Sequence, residues 1–447
     1  MGRGYIVEEC VEKYLTNLSA AAGSCETGLF IGQCSAQRDF VVLAVRTPHR
    51  ETEGATESQR TPSSLDNIDV EWVAEHARQV SRMLPGGVSV LGLFLIAPPE
   101  VSKEVQNTLK KLVFAVDKSI SKSKLWDPSE DDVTERITLH ICSKTRKAVC
   151  KTFDVKDPKC SAKPADWRYQ SGISSSWPLI TCNVQLDLQI PVTSENVDKS
   201  IKDGLRNWAK QIEAALCLIN GKAVTDDSEL LSGPKKSTKA SQQQTVRAQI
   251  LVSAEDADAG QVSSAVVQEC SGSVCVRGVV HCRAYIHTNK PKTRHAAQAL
   301  KRDVVNTVFS RVEMLLEDLL MNEADLASGE QVLPRRVFAP VSGSGLSVCD
   351  YIFPDESTAD VAERFKEMLG CDLPEEDVDT SMEAQTCYSV SGVEDGCDEE
   401  ANHNVPTQSG AETVPKTKAA RQYAAGMAVA AAVALLATAT SLLYLTE

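Results

Sequence analysis

No apolar leader opens this chain. MGRGYIVEECVEKY carries acidic residues within its first ten positions and has no hydrophobic core of the kind a secretory signal needs. A basic excess is missing as well. The formal charge is −14, which removes the electrostatic footprint of a nucleic-acid-binding protein. Nowhere is there a glycine-rich phosphate loop carrying a lysine, nor a G-x-S-x-G elbow. Cys270 and Cys275 make a single C-x₄-C, and no second pair completes a structural zinc site.

What is present begins at the end. Ala424 to Leu445, including Leu435 and Leu436, form 22 residues without a charge. As a helix they would span roughly 33 Å, enough to cross a bilayer core of about 30 Å. Lys416, Lys418 and Arg421 precede this segment, and no basic residue follows it. Basic residues stay on the cytoplasmic side, so the expectation is a tail-anchored protein with its body in the cytosol. The 15 cysteines, Cys10 to Cys397, are then expected as reduced thiols.

The charge is concentrated. Asp350 to Glu400 holds 17 acidic residues against Arg364 and Lys366, which leaves the remainder near neutral. Asp372–Thr417 has no periodicity and reads as a flexible stalk. Upstream, the spacing predicts a helix from Val7, strands over Gly28–Cys34 and Asp39–Pro48, and a helix over Val70–Met83. Val88–Pro99 is a continuous apolar run, the pattern of a strand buried on both faces. Val101–Ile120 is an amphipathic helix. Arg136–Ser143 and Ala148–Val155 form a hairpin, and Ile180–Val192 alternates as a half-buried strand. From Asn196 apolar residues recur at three- and four-residue steps as far as Ile219, predicting one helix. Ser232–Gln244 is linker-like. Strands over Val246–Ala254 and Val274–His287, a long helix over Ala296–Met321, and further short elements to Leu369 follow. The resulting division is an α/β unit over 1–222, a linker over 223–245, a second α/β unit over 246–370, a disordered acidic stalk over 371–422 and a membrane helix over 423–445.

Soft ligands concentrate only at Cys270, Cys275, His281, Cys282 and His287. His281 and His287 lie six residues apart on a strand, roughly 20 Å, too far to share one ion. The expectation is a solvated strand face. A membrane-tethered thiol or metal-dependent hydrolase using Cys270, Cys275 and His281 is the rival reading. PADWRYQSGISSSW (Pro164–Trp177) brackets a Ser/Gly loop with two of the five tryptophans and reads either as a docking loop or as a loop pinned to the core.

Two resemblances follow from longer strings. GLFIGQC (Gly28–Cys34), Asp39–Pro48 and VLGLFLIAPP (Val90–Pro99) look like the start and middle of an MPN domain. Active members carry a zinc-binding H-x-H-P after this strand. Here Gly92, Phe94 and Pro98 match, while the histidine positions hold Leu95 and Ala97. The resemblance implies an inactive MPN-like unit, with no catalytic residue, metal or cofactor. Across nearly its whole length the chain resembles the homologues of odorant response abnormal protein four. MGRGYIVEE, GLFIGQCSAQRDFVVLAVRTP, QVSRMLPGG (Gln79–Gly87), TLHIC (Thr138–Cys142), ADWRYQSGISSSW, CRAYIH (Cys282–His287) and the C-terminal span carry this. It implies an endoplasmic-reticulum membrane protein that helps a subset of G-protein-coupled receptors mature and traffic. It also implies a heterodimer with the protease specific for the ubiquitin-fold modifier. The expected function is that of a non-enzymatic adaptor. Its candidate contacts are Val105, Leu109 and Leu112 on the amphipathic helix, with Trp167 and Trp177 on the loop.

Overall fold

Glycine decides how closely the central strands of this mixed α/β fold approach. In the computed structural model, a Cβ on Gly92 would sit 1.9 Å from the Ile137 carbonyl oxygen of the next strand. The structure describes residues 2–18, 25–36, 38–50, 65–101, 104–129, 132–193, 197–223, 227–230, 243–252, 270–288, 291–321, 330–383 and 386–392. The linker over 231–242, most of the stalk and the apolar span over 424–445 lie outside them. Among the described residues no helix is long and apolar enough to cross a membrane.

The first sheet has eight strands. They are β1 (Gly4–Glu8), β2 (Glu26–Gln33), β3 (Arg38–Arg46), β4 (Ser89–Ala97), β5 (Glu135–Cys142), β6 (Ala148–Asp154), β7 (Lys163–Pro164) and β8 (Asp166–Gln170). Their order is β7-β6-β5-β4-β2-β3-β1-β8. β4 is the buried apolar strand that its sequence predicts. One face of the sheet packs on α1 (Glu9–Asn17) through Val11 and Leu15. The other face is covered by α2 (Val70–Arg82) and α3 (Val105–Lys122). Asp69 caps α2 by accepting the N–H groups of Glu71 and Trp72. The helix expected from Val7 starts at Glu9, because Gly4 to Val7 pair in parallel with β3 and Gly4 to Glu8 with β8.

The second sheet is built from β9 (Leu179–Val192), β10 (Leu216–Ile219), β11 (Lys222–Ala223), β12 (Thr245–Leu251), β13 (Gly272–Tyr285), β14 (Glu330–Leu333) and β17 (Thr386–Gly392), in the order β11-β10-β12-β9-β13-β17-β14. The half-buried alternation of β9 holds, and its inward face meets α4 (Val197–Ala214) through Ile201, Leu205 and Trp208. Contact there is close enough that a Cβ on Gly204 would lie 2.4 Å from Ile190 Cγ2. The helix expected to reach Ile219 stops at Ala214. Leu216 to Ile219 instead pair with β12 and turn at Asn220 and Gly221, both with positive φ.

Two expected boundaries are corrected. β9, placed in the first unit by sequence, pairs with β13 of the second along all 14 residues. The remaining elements also return to the first sheet. β15 (Arg335–Pro340), β16 (Ser347–Ile352) and α6 (Thr358–Leu369) contribute Val337, Val348, Val361 and Phe365 to the core under α2 and α3. The acidic stalk likewise begins later than 371. Val378 belongs to that core, Glu383 is buried, and Thr386–Gly392 is β17. Acidic composition misled here because Glu383 is held by an arginine rather than by water.

That arginine lies on α5 (Thr293–Met321). Arg311 Nη2 donates to both Glu383 oxygens, at 2.5 and 2.6 Å, and both side chains are 1% exposed or less. Glu383 also accepts the backbone N–H groups of His281 (2.8 Å) and Arg336 (2.8 Å). One carboxylate therefore ties α5, β13 and β15 together. A second pair lies beside it. Arg336 donates to Asp303 at 2.7 and 2.9 Å, and Asp303 also takes the N–H of Arg283 at 3.0 Å. Burial opposes the charge on Arg336, but Asp303 beside it outweighs that and holds its pKa well above the ordinary value.

A third joint is made by backbone. The turn Pro85-Gly86-Gly87 docks on β13, with Gly86 donating to the Arg283 carbonyl and accepting from the Tyr285 N–H, each at 2.9 Å. Gly87 has φ +79°, and a Cβ there would lie 2.2 Å from the Tyr285 carbonyl oxygen. Gln33 at the end of β2 donates to the carbonyls of Gly87 and Tyr285 and accepts the N–H of His287. These joints explain why the two α/β halves read from sequence form one packed body.

Candidate functional site

The histidines and cysteines of β13 are structural. His281 and His287 are 9% and 8% exposed, so the expected solvated strand face is corrected to a buried one. His281 Nδ1 lies 2.7 Å from Asn183 Oδ1, and its Nε2 accepts from Arg283 Nε at 3.2 Å, which fixes a neutral ring protonated at Nδ1. Burial, with Arg283 and Arg336 nearby, lowers its pKa to about 4. Burial lowers His287 to about 4 as well. The ligands proposed for a hydrolase are not brought together. Cys270 is exposed before β13, while Cys275 is buried and lies six residues from His281 on the same strand. Among the described residues no group of three or more His, Cys, Asp or Glu could hold a metal ion.

Thiol chemistry meets the same obstacle. Burial pushes Cys34 and Cys150 up to about 12, and Cys25, Cys182, Cys349 and Cys371 up to about 11. A thiol that holds its proton this tightly is a poor nucleophile near neutral pH. Cys142, at the end of β5, differs: the Thr145 hydroxyl and the N–H groups of the following turn lower its pKa.

Leu95 and Ala97 are both fully buried in the core beneath α2 and α3. The apolar stripe of α3 is buried there too, with Val105 and Leu109 2% exposed and Leu112 fully buried. A partner cannot reach these three residues in the folded protein, so their candidacy as contacts is corrected. The stripe is used up by β4, β5 and α2, and α3 presents only its opposite face to solvent.

The tryptophan loop is pinned. Trp177 is 1% exposed and meets Phe40 edge-on at 6.0 Å. Its carbonyl accepts from Gln243 Nε2 at 2.9 Å. Trp167 is half-buried on β8, 5.0 Å from Phe30 and 6.4 Å from Tyr5 by ring centroids. Between them the loop is held by a buried carboxylate. Glu8, 4% exposed, accepts the N–H groups of Gly172 (2.5 Å), Ile173 (2.8 Å) and Ser174 (3.3 Å). Three convergent N–H groups solvate an anion much as water would, which lets the charge sit inside. Tyr169, on β8 at the sheet edge, is the loop region's exposed aromatic residue at 38%.

Sequence reasoning missed Glu8, Gln33, Asp303, Arg311, Arg336 and Glu383. Asp303, Thr307 and Arg311 recur every four residues beside the apolar stripe of α5, and all three are buried. An ordinary surface helix carries the same two rows, so the sequence held no signal that this polar row is enclosed.

The result is a mixed α/β protein whose buried polar groups are joined to one another. The chain belongs to the ODR4-like family, described as odorant response abnormal 4-like, whose model matches residues 28–380. The relative named "Protein odr-4 homolog" in Homo sapiens is 48% identical over 88% of this chain and 88% of its own length. The Mus musculus relative of the same name is 45% identical over the full length of both. "Odorant response abnormal protein 4" of Caenorhabditis elegans is 21% identical over 74% of this chain and 68% of its own. Among solved structures, UfSP from Caenorhabditis elegans superposes with a TM-score of 0.40 and 8% identity, over 83% of this chain and 57% of that one.

Replacing Glu8 by Gln removes the charge that the three loop N–H groups solvate. The loop over 171–176 should then be cut by trypsin-free proteases such as subtilisin far faster than in the parent, with stability lower by about 1–3 kcal/mol. Equal cutting rates would show that Trp177 alone holds the loop.

Acid should also loosen the body. Burial, opposed by a bond to the Met368 carbonyl, lowers His76 from 6.5 to about 4, in line with His281 and His287. The unfolded chain therefore binds protons between pH 6.5 and 4 that the native chain refuses. Stability is full above this window and is lost as pH falls through it. The Tm should hold above about pH 7 and drop steadily toward pH 4, and His76→Phe should lessen the slope. A flat Tm across the window would contradict neutral burial.

Proposed function

We propose that this chain is a non-enzymatic, membrane-anchored adaptor at the endoplasmic reticulum, aiding maturation and trafficking of a subset of G-protein-coupled receptors, odorant receptors among them. Membership of the ODR4-like family carries this reading, since the relative from Caenorhabditis elegans is named for an abnormal odorant response. The apolar span Ala424–Leu445, preceded by Lys416, Lys418 and Arg421, supplies the anchor and sets the body in the cytosol. The N-terminal half is an inactive MPN-like unit. Supporting this, Leu95 and Ala97 stand where zinc-binding histidines belong, and both fill the core. The body pairs with the protease specific for the ubiquitin-fold modifier. Anchoring then raises the effective concentration of that partner near membrane-bound clients.

The experiment is rescue of receptor delivery. Cells lacking the chain should show several-fold less odorant receptor at their surface, measured by antibody on unpermeabilised cells. The full chain should restore it. A form lacking 424–445 should fractionate as a soluble protein and fail to rescue. Full rescue by that form would contradict the anchored-adaptor reading.

A further inference from the structure

With its apolar stripe spent on the core, α3 keeps a second surface. Lys111, Lys118 and Lys122 are exposed on its outer side, and Phe114 and Ala115 lie half-buried between them. Positions 111, 115, 118 and 122 follow one another at four-, three- and four-residue steps, so they form one row along the helix. Beside the row runs an open groove of about 570 Å³, lined by Phe114, Ala115, Asp117, Lys118, Ser121 and Val155. Its rim is fixed, because Lys110 Nζ donates to the Cys160 carbonyl at 2.8 Å while lying 5.8 Å from the centre of the Phe114 ring.

Of the acids in and around this groove one is ion-paired, and two are bonded to neutral backbone N–H groups and keep their charge. Asp117 pairs with Arg136 at 3.1 Å. Asp154 accepts the N–H of Lys156, and Asp157 that of Lys159, within the turn after β6. No salt bridge joins Lys111, Lys118 or Lys122 to a described residue, whereas Lys144 and Lys202 elsewhere are each paired with an acid. In a chain of net charge −14, this open groove sets three lysines without a salt bridge to a described residue beside an apolar floor.

We propose that this groove binds a short acidic segment of a partner protein, with an apolar side chain seated on Phe114, Ala115 and Val155 and carboxylates facing Lys111, Lys118 and Lys122. The apolar seat favours a peptide over a bilayer: the half-buried Phe114 ring and Ala115, set between the lysines, offer a place for an apolar side chain that lipid headgroups do not use. Exposed ion pairs are individually weak, so the apolar seat and several charges must act together. The proposal deepens the adaptor reading by giving the chemistry of one partner contact. It is tested on purified protein, so its failure is distinct from a failure of receptor delivery in cells.

The probe is a fluorescein-labelled peptide of about ten residues, acidic throughout except for a central Leu-Phe pair, titrated with the full chain in detergent and read by fluorescence anisotropy. The double change Lys118→Glu and Lys122→Glu should weaken binding about tenfold or more without altering the melt. Lys210→Glu with Lys222→Glu, an equal charge change on α4 and β11, should leave it unaltered. Binding should fall in high salt and when the Leu-Phe pair becomes Ser-Ser. Equal binding by both double variants, or no binding by the parent, overturns the proposal. Binding of soluble short-chain phosphatidylserine with none of the peptide overturns it too, and assigns the groove to lipid headgroups.

Discussion

Glu383 accepts from Arg311, from the backbone of β13 and from the backbone of β15, all within about 2.8 Å and out of reach of water. Burying a carboxylate and a guanidinium is expensive unless each finds its partner. Here the pair is completed only when α5, β13, β15 and the 372–383 segment are all in place. Asp303 and Arg336 repeat the arrangement one step away. Charges that cannot be left unpaired thus act as a check on assembly, and the two sheets are obliged to close as one body.

The same burial governs what the protein does chemically. Histidines 76, 281 and 287 are neutral because they lie inside, and most of the thiols are pushed up for that reason. These histidines and buried thiols serve as packing and hydrogen-bonding elements. Leu95 and Ala97 are likewise enclosed in the core beneath α2 and α3. The family is named for an odorant-response phenotype rather than for a reaction.

Much of this was legible in the sequence wherever the determinant was local. The apolar run of β4, the alternation of β9, the helix α2 and the β5–β6 hairpin all appear as their patterns predict. Illegible features depend on distant partners. Gly4–Glu8 looks like a helix approach until β3 and β8 flank it, and Leu216–Ile219 continues a helical period until β12 captures it. The stripe of α3 showed that Val105, Leu109 and Leu112 face something apolar, and only packing shows that this is the protein's own core. Acidic residues past 371 read as solvated because composition does not reveal that Arg311 waits, buried, for one of them.

The central claim is that the 372–392 segment completes the fold. Its direct test compares two chains by thermal unfolding: one ending at Gly392, the other at Gly370. The first should melt in a single cooperative transition. The second lacks Val378, Glu383 and β17 and leaves Arg311 buried without its carboxylate, so it should lose the sharp transition and expose hydrophobic surface to a dye. Equal cooperative melts for both would contradict the account.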